Sequence, residues 1–279
     1  MRLLVTGGSG YLGRELVRQA AAAGWEVTGT SLTGRGLRLD VRDAAAVRHA
    51  VAAERPDVVV HTAYRQDGVG AWQTTVDGTA NIAGAAARAG ARLLHLSTDV
   101  VFDGRLGRPY REDDQPTPVT DYGRAKARAE VEVAAAGGDS LVVRTSLIVA
   151  GARPSRHEQV ALEVAAGRAG MAFYTDELRC PIAVADLAGA LLELASGTAQ
   201  GVLHVAGADA VSRHQLAVLV SGRPDLAAAR SADRVDPRPL DCRLDCSRAA
   251  GLLRRLPRGV RELYGASRLI SQSPASSRR

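Results

Sequence analysis

Aromatic residues are scarce in this chain: two Phe, two Trp and six Tyr make up 4% of its 279 residues. No dense basic run stands beside them, so a nucleic-acid-binding surface is a poor reading. Cysteine is rarer still. Cys180, Cys242 and Cys246 are odd in number and have no further Cys or His at metal-ligand spacing, which excludes a disulfide framework and a zinc site. They read as reduced thiols in a cytoplasmic protein. Every apolar stretch is interrupted before 18 residues, so no membrane span is expected. No basic segment followed by an apolar leader precedes the first strand. Neither sign of charge dominates: 36 Lys and Arg face 30 Asp and Glu, a formal net charge of +6. That mild surplus suits a site accepting phosphates. Carboxylates are too scattered for a metal site, and none is expected.

What is present is apolar content of 46%, enough for a sizeable core. Short apolar strands alternate with helical segments from the first residues. RLLVT at 2–6, EVTGT at 26–30, LRLDV at 37–41, DVVVHTA at 57–63, ARLLHLSTD at 91–99 and SLVVRTSLIV at 140–149 read as strands. Helices are expected at 11–23, from Asp43 to 53, at 74–89, from Asp121 or Tyr122 to 136, at 184–195 and, behind a Ser212 cap, at 213–221. Continuous apolar strands separated by helices predict an α/β fold: a Rossmann-type, doubly wound parallel sheet covered on both faces. The dinucleotide-binding half is expected over 1–150. A smaller C-terminal substrate-binding lobe follows over 151–265, partly interleaved with it. Asp245 or Ser247 is the expected cap of a last helix, and a disordered tail is expected at 266–279.

The chemistry begins at Gly7, Gly10 and Gly13, which form GxxGxxG between the first strand and the first helix. Gly7 permits the tight turn, Gly10 lets backbone approach a pyrophosphate, and Gly13 allows close helix–sheet packing. The helix amino end supplies N–H groups and a partial positive field. The ending GKS or GKT of an ATP loop is missing. At the end of the second strand an acid would bind the adenosine ribose of NAD. The chain has Thr30-Ser31 there, with Arg35 following and no acid until Asp40. This favours a 2'-phosphate partnered by Arg35, hence NADPH, with NADH the alternative; Asp40 suits the adenine edge.

Tyr122 and Lys126, in DYGRAK, lie four residues apart and share a helix face. An ammonium nearby favours phenolate and lowers the pKa of the phenol, so that the tyrosine exchanges a proton with a carbonyl or alcohol. Alone, the pair is more often the mark of a solvated helix; the rest of the chain reverses that and favours the catalytic reading.

These motifs together resemble the extended short-chain dehydrogenase/reductase superfamily, and within it the dTDP-4-dehydrorhamnose reductase family, with its RmlD-like substrate-binding domain. LSTDVVFDG at 96–104, PYREDD at 109–114, YGRAKARAE at 122–130 and VVRTSLIVAG at 142–151 carry the resemblance over about residues 1–255. It implies NADPH-dependent reduction of a nucleoside-diphosphate 4-keto-6-deoxy sugar to the 4-hydroxy sugar. Thr98, Tyr122 and Lys126 match the catalytic positions: carbonyl-orienting hydroxyl, proton donor, and ribose-binding lysine. Gly7, Ser9, Gly10, Tyr11, Leu12, Gly13, Ser31, Arg35, Asp40, Val41, Thr62, Ala63, Tyr64 and Ser97 are the implied cofactor contacts, with Tyr122 and Lys126. Asp67, Ser146, Arg179 and Arg238 are the implied substrate contacts. His95 reads as a satisfied interior residue and His157 as a surface one. Departures from the family pattern lie in AYRQDG at 63–68, in Asp77 and in GARPSRHEQV at 151–160. The R-C-P turn at 179–181 also resembles the non-catalytic branch related to the methionine adenosyltransferase regulatory subunit. A regulatory NADP-binding protein, or an epimerase or reductase of the same superfamily acting on another carbonyl, is therefore the alternative. A homodimer is the base-rate expectation for assembly.

Overall fold

The computed structural model describes residues 1–34 and 36–271. Its first half runs β1 (Arg2–Thr6), α1 (Tyr11–Ala22), β2 (Glu26–Ser31), β3 (Leu37–Arg38), α2 (Ala44–Glu54), β4 (Val58–His61), α3 (Gly78–Ala89), β5 (Arg92–Thr98), α4 (Asp121–Ala136) and β6 (Ser140–Thr145). There follow β7 (Ile148–Val149), α5 (Arg156–Ala165), β8 (Phe173–Tyr174), β9 (Leu178–Arg179), β10 (Ile182–Ala183), α6 (Val184–Ala195), β11 (Gly201–His204), β12 (Val211–Ser212), α7 (Arg213–Ser221), β13 (Ala228–Ala229), α8 (Ser247–Ala250) and α9 (Val260–Ser271).

Seven strands form one parallel sheet in the order β11-β6-β5-β4-β1-β2-β3. Successive side chains of a strand point to opposite faces, and the core divides accordingly. Leu3, Val5, Val58, Val60, Leu94, Leu141 and Val143 pack with α1 and α6 on one face. Leu4, Val59, Leu93 and Val142 pack with α2 and α3 on the other. The sheet's edge strand β11 and covering helix α6 come from beyond residue 150. The sheet body thus draws on both halves of the chain, and β9, β12 and β8, β13 make the small paired ribbons of the lobe.

Four elements differ from expectation. The strand predicted over 140–149 breaks after Thr145. The backbone leaves the main sheet at Ser146 and Leu147, and Ile148–Val149 pairs with β10 instead. The strand predicted at 37–41 is only two residues long, because Asp40 turns the chain by accepting the Arg42 N–H at 3.0 Å. The helix predicted at 74–89 is helical throughout, but Gln73–Asp77 is wound as a wider π-helix that runs directly into α3. Near the end, Asp245 accepts the Ser247 N–H at 3.0 Å ahead of the four-residue α8, and the last helix is the separate α9. The tail expected at 266–279 falls on the end of α9 and on residues outside those described. No described helix is long and apolar enough to cross a membrane.

Candidate active site

A cleft of about 810 Å³ runs along the carboxyl ends of the strands, where ligands of such sheets bind. Its first wall is the glycine loop. Gly7 has φ +73°, and a Cβ there would lie 2.9 Å from Thr62 Oγ1. A Cβ on Gly13 would sit 2.1 Å from the Gly7 carbonyl oxygen, so α1 and the loop are in backbone contact. Gly10 is the helix N-cap and offers no side chain to the first-turn N–H groups. The result is a bare backbone cradle at a helix amino end, which fits the pyrophosphate of a dinucleotide.

Local structure brings Thr98, Tyr122 and Lys126 together. Thr120 caps α4 by accepting the Gly123 N–H at 3.1 Å. A Cβ on Gly123 would lie 2.3 Å from the Val100 carbonyl oxygen, so the start of α4 is pressed onto the segment that follows β5. That approach brings the half-buried Tyr122 phenol beside Thr98, the last residue of β5, close enough for the Thr98 hydroxyl to lower its pKa. Thr98 is itself held by the Val100 N–H at 3.4 Å and by Asp99 Oδ1 at 3.3 Å.

The electrostatics reverse one expectation. Burial pushes the Tyr122 phenol above its ordinary pKa. Tyr64 and Asp99 push the same way, and the Thr98 hydrogen bond only partly offsets them. Lys126 is brought down to about 8 by burial, against the opposing pull of Glu130. Its ammonium donates to the Leu96 carbonyl at 2.6 Å and lies 5.6 Å from the centroid of the Tyr64 ring. Desolvation therefore outweighs the expected lowering by lysine, and Tyr122 holds its proton at neutral pH. That is the state a proton donor needs.

Within electrostatic reach of Lys126, His61 and His95 lie with ring centroids 5.3 Å apart and their planes tilted by 33°. His61 is brought down to about 3 by burial and by Lys126, and bonds Thr6 at 2.5 Å and Thr79 at 3.0 Å. His95, expected to be satisfied, has no hydrogen-bond partner for either ring nitrogen among the described residues. It too is depressed, by burial first, then by Lys126 and His61.

Every sequence-predicted site residue lines this cleft except Arg35, which lies outside the described residues. Lining is not the same as being available. The Ser97 hydroxyl donates to Glu130 at 2.5 Å, and Glu130 pairs with Arg144 at 2.7 Å in the interior. Asp40 pairs with Arg42 at 2.6 Å, which holds its carboxyl below the usual range. Ser146 donates to Asp99 at 2.6 Å and accepts the Cys180 N–H at 3.2 Å. Arg179 donates to the carbonyls of Leu178, Pro239 and Leu240 and lies 3.8 Å from Asp99. Arg238 pairs with the buried Glu177 at 2.5 Å and lies 5.1 Å from the centroid of the Tyr174 ring. Asp67 lines the cleft from the loop where Arg65 Nε donates to the Asp67 carbonyl at 3.1 Å.

Sequence reasoning missed Arg213. It is the first residue of α7, behind the Ser212 cap. Its guanidinium nitrogens donate to His157 Nδ1 at 3.3 Å. Burial, with Arg179 adding repulsion, brings Arg213 down to about 10. His157, read as a surface residue, is instead in the cleft and is held neutral, at about 3, chiefly by burial and then by Arg213. Nothing local in the sequence marks Arg213, because β12 pairing with β9 brings it to Arg179. Arg156, Arg179, Arg213 and Arg238 make this end of the cleft cationic. Among the described residues no group of three or more His, Cys, Asp or Glu could hold a metal ion.

The family model described as "RmlD substrate binding domain" matches residues 1–259. The chain is 38% identical over 224 residues to dTDP-4-dehydrorhamnose reductase of Mycobacterium tuberculosis (strain H37Rv), covering 76% of this chain and 72% of that protein. It is 28% identical over 284 residues to methionine adenosyltransferase 2 subunit beta of Bos taurus, covering 92% and 84%. A solved structure described as a hypothetical dTDP-4-dehydrorhamnose reductase from Sulfolobus tokodaii superposes with a TM-score of 0.79 at 30% identity, covering 91% of this chain and 95% of the other.

Proposed function

The chain belongs to the RmlD substrate binding domain family, and on that premise we propose that it reduces a nucleoside-diphosphate 4-keto-6-deoxy sugar to the 4-hydroxy sugar with NADPH. The observation that carries this is that the Thr98–Tyr122–Lys126 trio, the bare glycine cradle and Arg156, Arg179, Arg213 and Arg238 all line one cleft.

The cradle of Gly7, Gly10 and Gly13 would hold the pyrophosphate, and Thr62, Ala63 and Tyr64 line the same cleft as the trio. When bound, the nicotinamide supplies the hydride that reduces the carbonyl carbon. The protein's own contribution is positional and electrostatic. Thr98, anchored by Val100 and Asp99, presents its hydroxyl to the carbonyl oxygen and stabilises the charge that develops there. Tyr122 releases its proton to that oxygen, giving the alcohol. Lys126, fixed by the Leu96 carbonyl, would hold the ribose hydroxyls of the cofactor and would supply the positive charge that the resulting phenolate needs. Arg213 and Arg156 meet the diphosphate, while Arg179 and Arg238 hold the walls around it. The preference for NADPH rests on the missing acid at the end of β2 and on Arg35, the residue chosen for the 2'-phosphate.

The test is loss of NADPH absorbance with purified protein and a panel of dTDP- and UDP-linked 4-keto-6-deoxy sugars, each product identified. Substrate-dependent oxidation that Tyr122→Phe abolishes supports the proposal. Tight NADPH binding without turnover on any sugar would favour the second reading, a cofactor-binding regulatory subunit. The similarity to the bovine subunit beta is the observation behind that reading.

A further inference from the structure

Glu158 lies outside the catalytic trio, yet its carboxylate joins the start of α5 to α9 and to the crossing at Ala150. It is buried in the third position of α5, where Oε2 accepts the Ser155 N–H at 2.7 Å and completes a capping box. Its other oxygen, Oε1, accepts the Tyr264 hydroxyl of α9 at 2.6 Å and the Ala150 N–H at 3.3 Å. The Tyr11 hydroxyl accepts the Gly151 N–H at 2.8 Å, and the nearby Glu158 carboxylate adds to burial in pushing that phenol up to about 12. All of these donors are neutral, and no ion pair of Glu158 is found among the described residues.

The partners come from three places that must keep register for the reaction. Tyr11 opens α1 at the glycine cradle. Ala150 and Gly151 are the crossing from the sheet to the lobe, and Ala150 is held there at φ +54°, a left-handed conformation that costs a non-glycine residue of order 1 kcal/mol or more. Immediately before Glu158, Arg156 and His157 line the arginine end of the cleft, and His157 accepts Arg213. A substituent at the cradle that moves Tyr11 therefore moves the start of α5. A crossing already under strain, with Gly151 so placed that a Cβ would lie 2.6 Å from the Tyr11 hydroxyl, has little slack to absorb the shift.

We propose that Glu158 is a positioning residue that couples the glycine cradle to the arginine end, so that cofactor and nucleotide bind with positive cooperativity. The proposal rests on reading the two ends of the cleft as cofactor and nucleotide-sugar sites. Coupling of this kind is reciprocal, so NADPH tightens the nucleotide by the same factor as the nucleotide tightens NADPH.

The experiment is calorimetric titration of dTDP, and in parallel UDP, into the full chain with and without saturating NADPH, and of NADPH alone. For the parent protein NADPH should tighten the nucleotide by roughly fivefold or more. In Glu158→Gln the tightening should fall below about twofold, while the affinity for NADPH alone stays within about threefold of the parent. A scaffold role would weaken each ligand separately and leave their ratio alone. Tyr264→Phe removes one phenol from Glu158 at a distance from the cleft and gives a second reading if Glu158→Gln does not fold; it should cut the tightening to about half or less. An uncoupled parent, or full coupling in the variants that fold, overturns the proposal. Failure of the parent to bind NADPH and both nucleotides overturns the functional reading itself, and the coupling with it, whereas binding without coupling overturns the coupling alone.

Discussion

Replacing Lys126 by methionine should remove turnover and make the protein's stability less penalised near neutral pH. Lys126 is 4% exposed, and burial brings its pKa from the ordinary 10.5 to about 8. At 1.36 kcal/mol per pKa unit, keeping it charged below pH 8 costs the folded state about 3 kcal/mol relative to an unburied lysine. The sign follows from proton counting. Below pH 8 folded and unfolded states both carry the proton. Between about 8 and 10.5 the unfolded state carries more, so the parent gains stability as pH rises through that window. The methionine side chain does not titrate and adds no such dependence. The difference in unfolding free energy between Lys126→Met and parent should therefore be most favourable to the variant at pH 7. It should shrink by about 2 kcal/mol or more by pH 10. The Leu96 carbonyl, deprived of its donor, takes back about 1–3 kcal/mol of the variant's advantage at every pH, so the slope, not the offset, is diagnostic. Urea unfolding of both proteins at several pH values, with unchanged m-values, measures it. A difference flat from pH 7 to 10 would refute the burial argument. Turnover in the parent should decline as pH rises through about 8, as the lysine loses its charge.

Tyr122→Phe should lower kcat by about 10²–10⁴-fold and leave NADPH affinity nearly unchanged, since only the proton donor is lost; a parental kcat in stopped-flow assays would reject its role. Arg213→Ala should raise KM for the nucleotide sugar by roughly tenfold or more with a smaller effect on NADPH binding, a charge-assisted contact being worth about 1.5–3 kcal/mol. Equal KM values would return Arg213 to a purely structural position beside His157. Arg35→Ala should weaken NADPH against NADH, read as the ratio of their dissociation constants by fluorescence titration, and an unchanged ratio would remove Arg35 from the 2'-phosphate. Gly13→Ala forces a methyl to 2.1 Å from the Gly7 carbonyl oxygen, and should cost about 1–3 kcal/mol by thermal melting along with cofactor affinity.

The parts of the site that were legible in the sequence are those fixed by local chemistry. The glycine spacing survives folding because Gly7, Gly10 and Gly13 are each needed within one strand–turn–helix unit. Tyr122 and Lys126 stay on one face because α4 is a regular helix around them. Thr98 is recognisable through the resemblance that LSTDVVFDG carries. What was not legible depends on residues far apart in the chain. The apolar run 140–149 reads as one strand, but its break follows from Ser146 bonding Asp99 and the Cys180 N–H. Residue spacing suggests a lowered phenol pKa at Tyr122; the desolvation that raises it is set by the packing around it. Arg179 and Arg238 look like ligands in the sequence because their carbonyl and carboxylate partners are dozens of positions away.

The seventh strand has a bearing on how the protein is made. While the chain emerges from the ribosome, residues 1–150 can pair β1 to β6, but one edge of β6 stays open until Gly201–His204 arrives to pair with Leu141–Arg144. The same wait applies to the face of α1 that α6 covers, where Leu12 and Leu16 meet Leu187 and Leu191. An unpaired edge beside an uncovered apolar face is a template for pairing with other nascent chains. The last third of the polypeptide thus shields the nascent nucleotide-binding body as well as building the sugar pocket, and cutting the gene between the two would release an adhesive fragment in place of two modules.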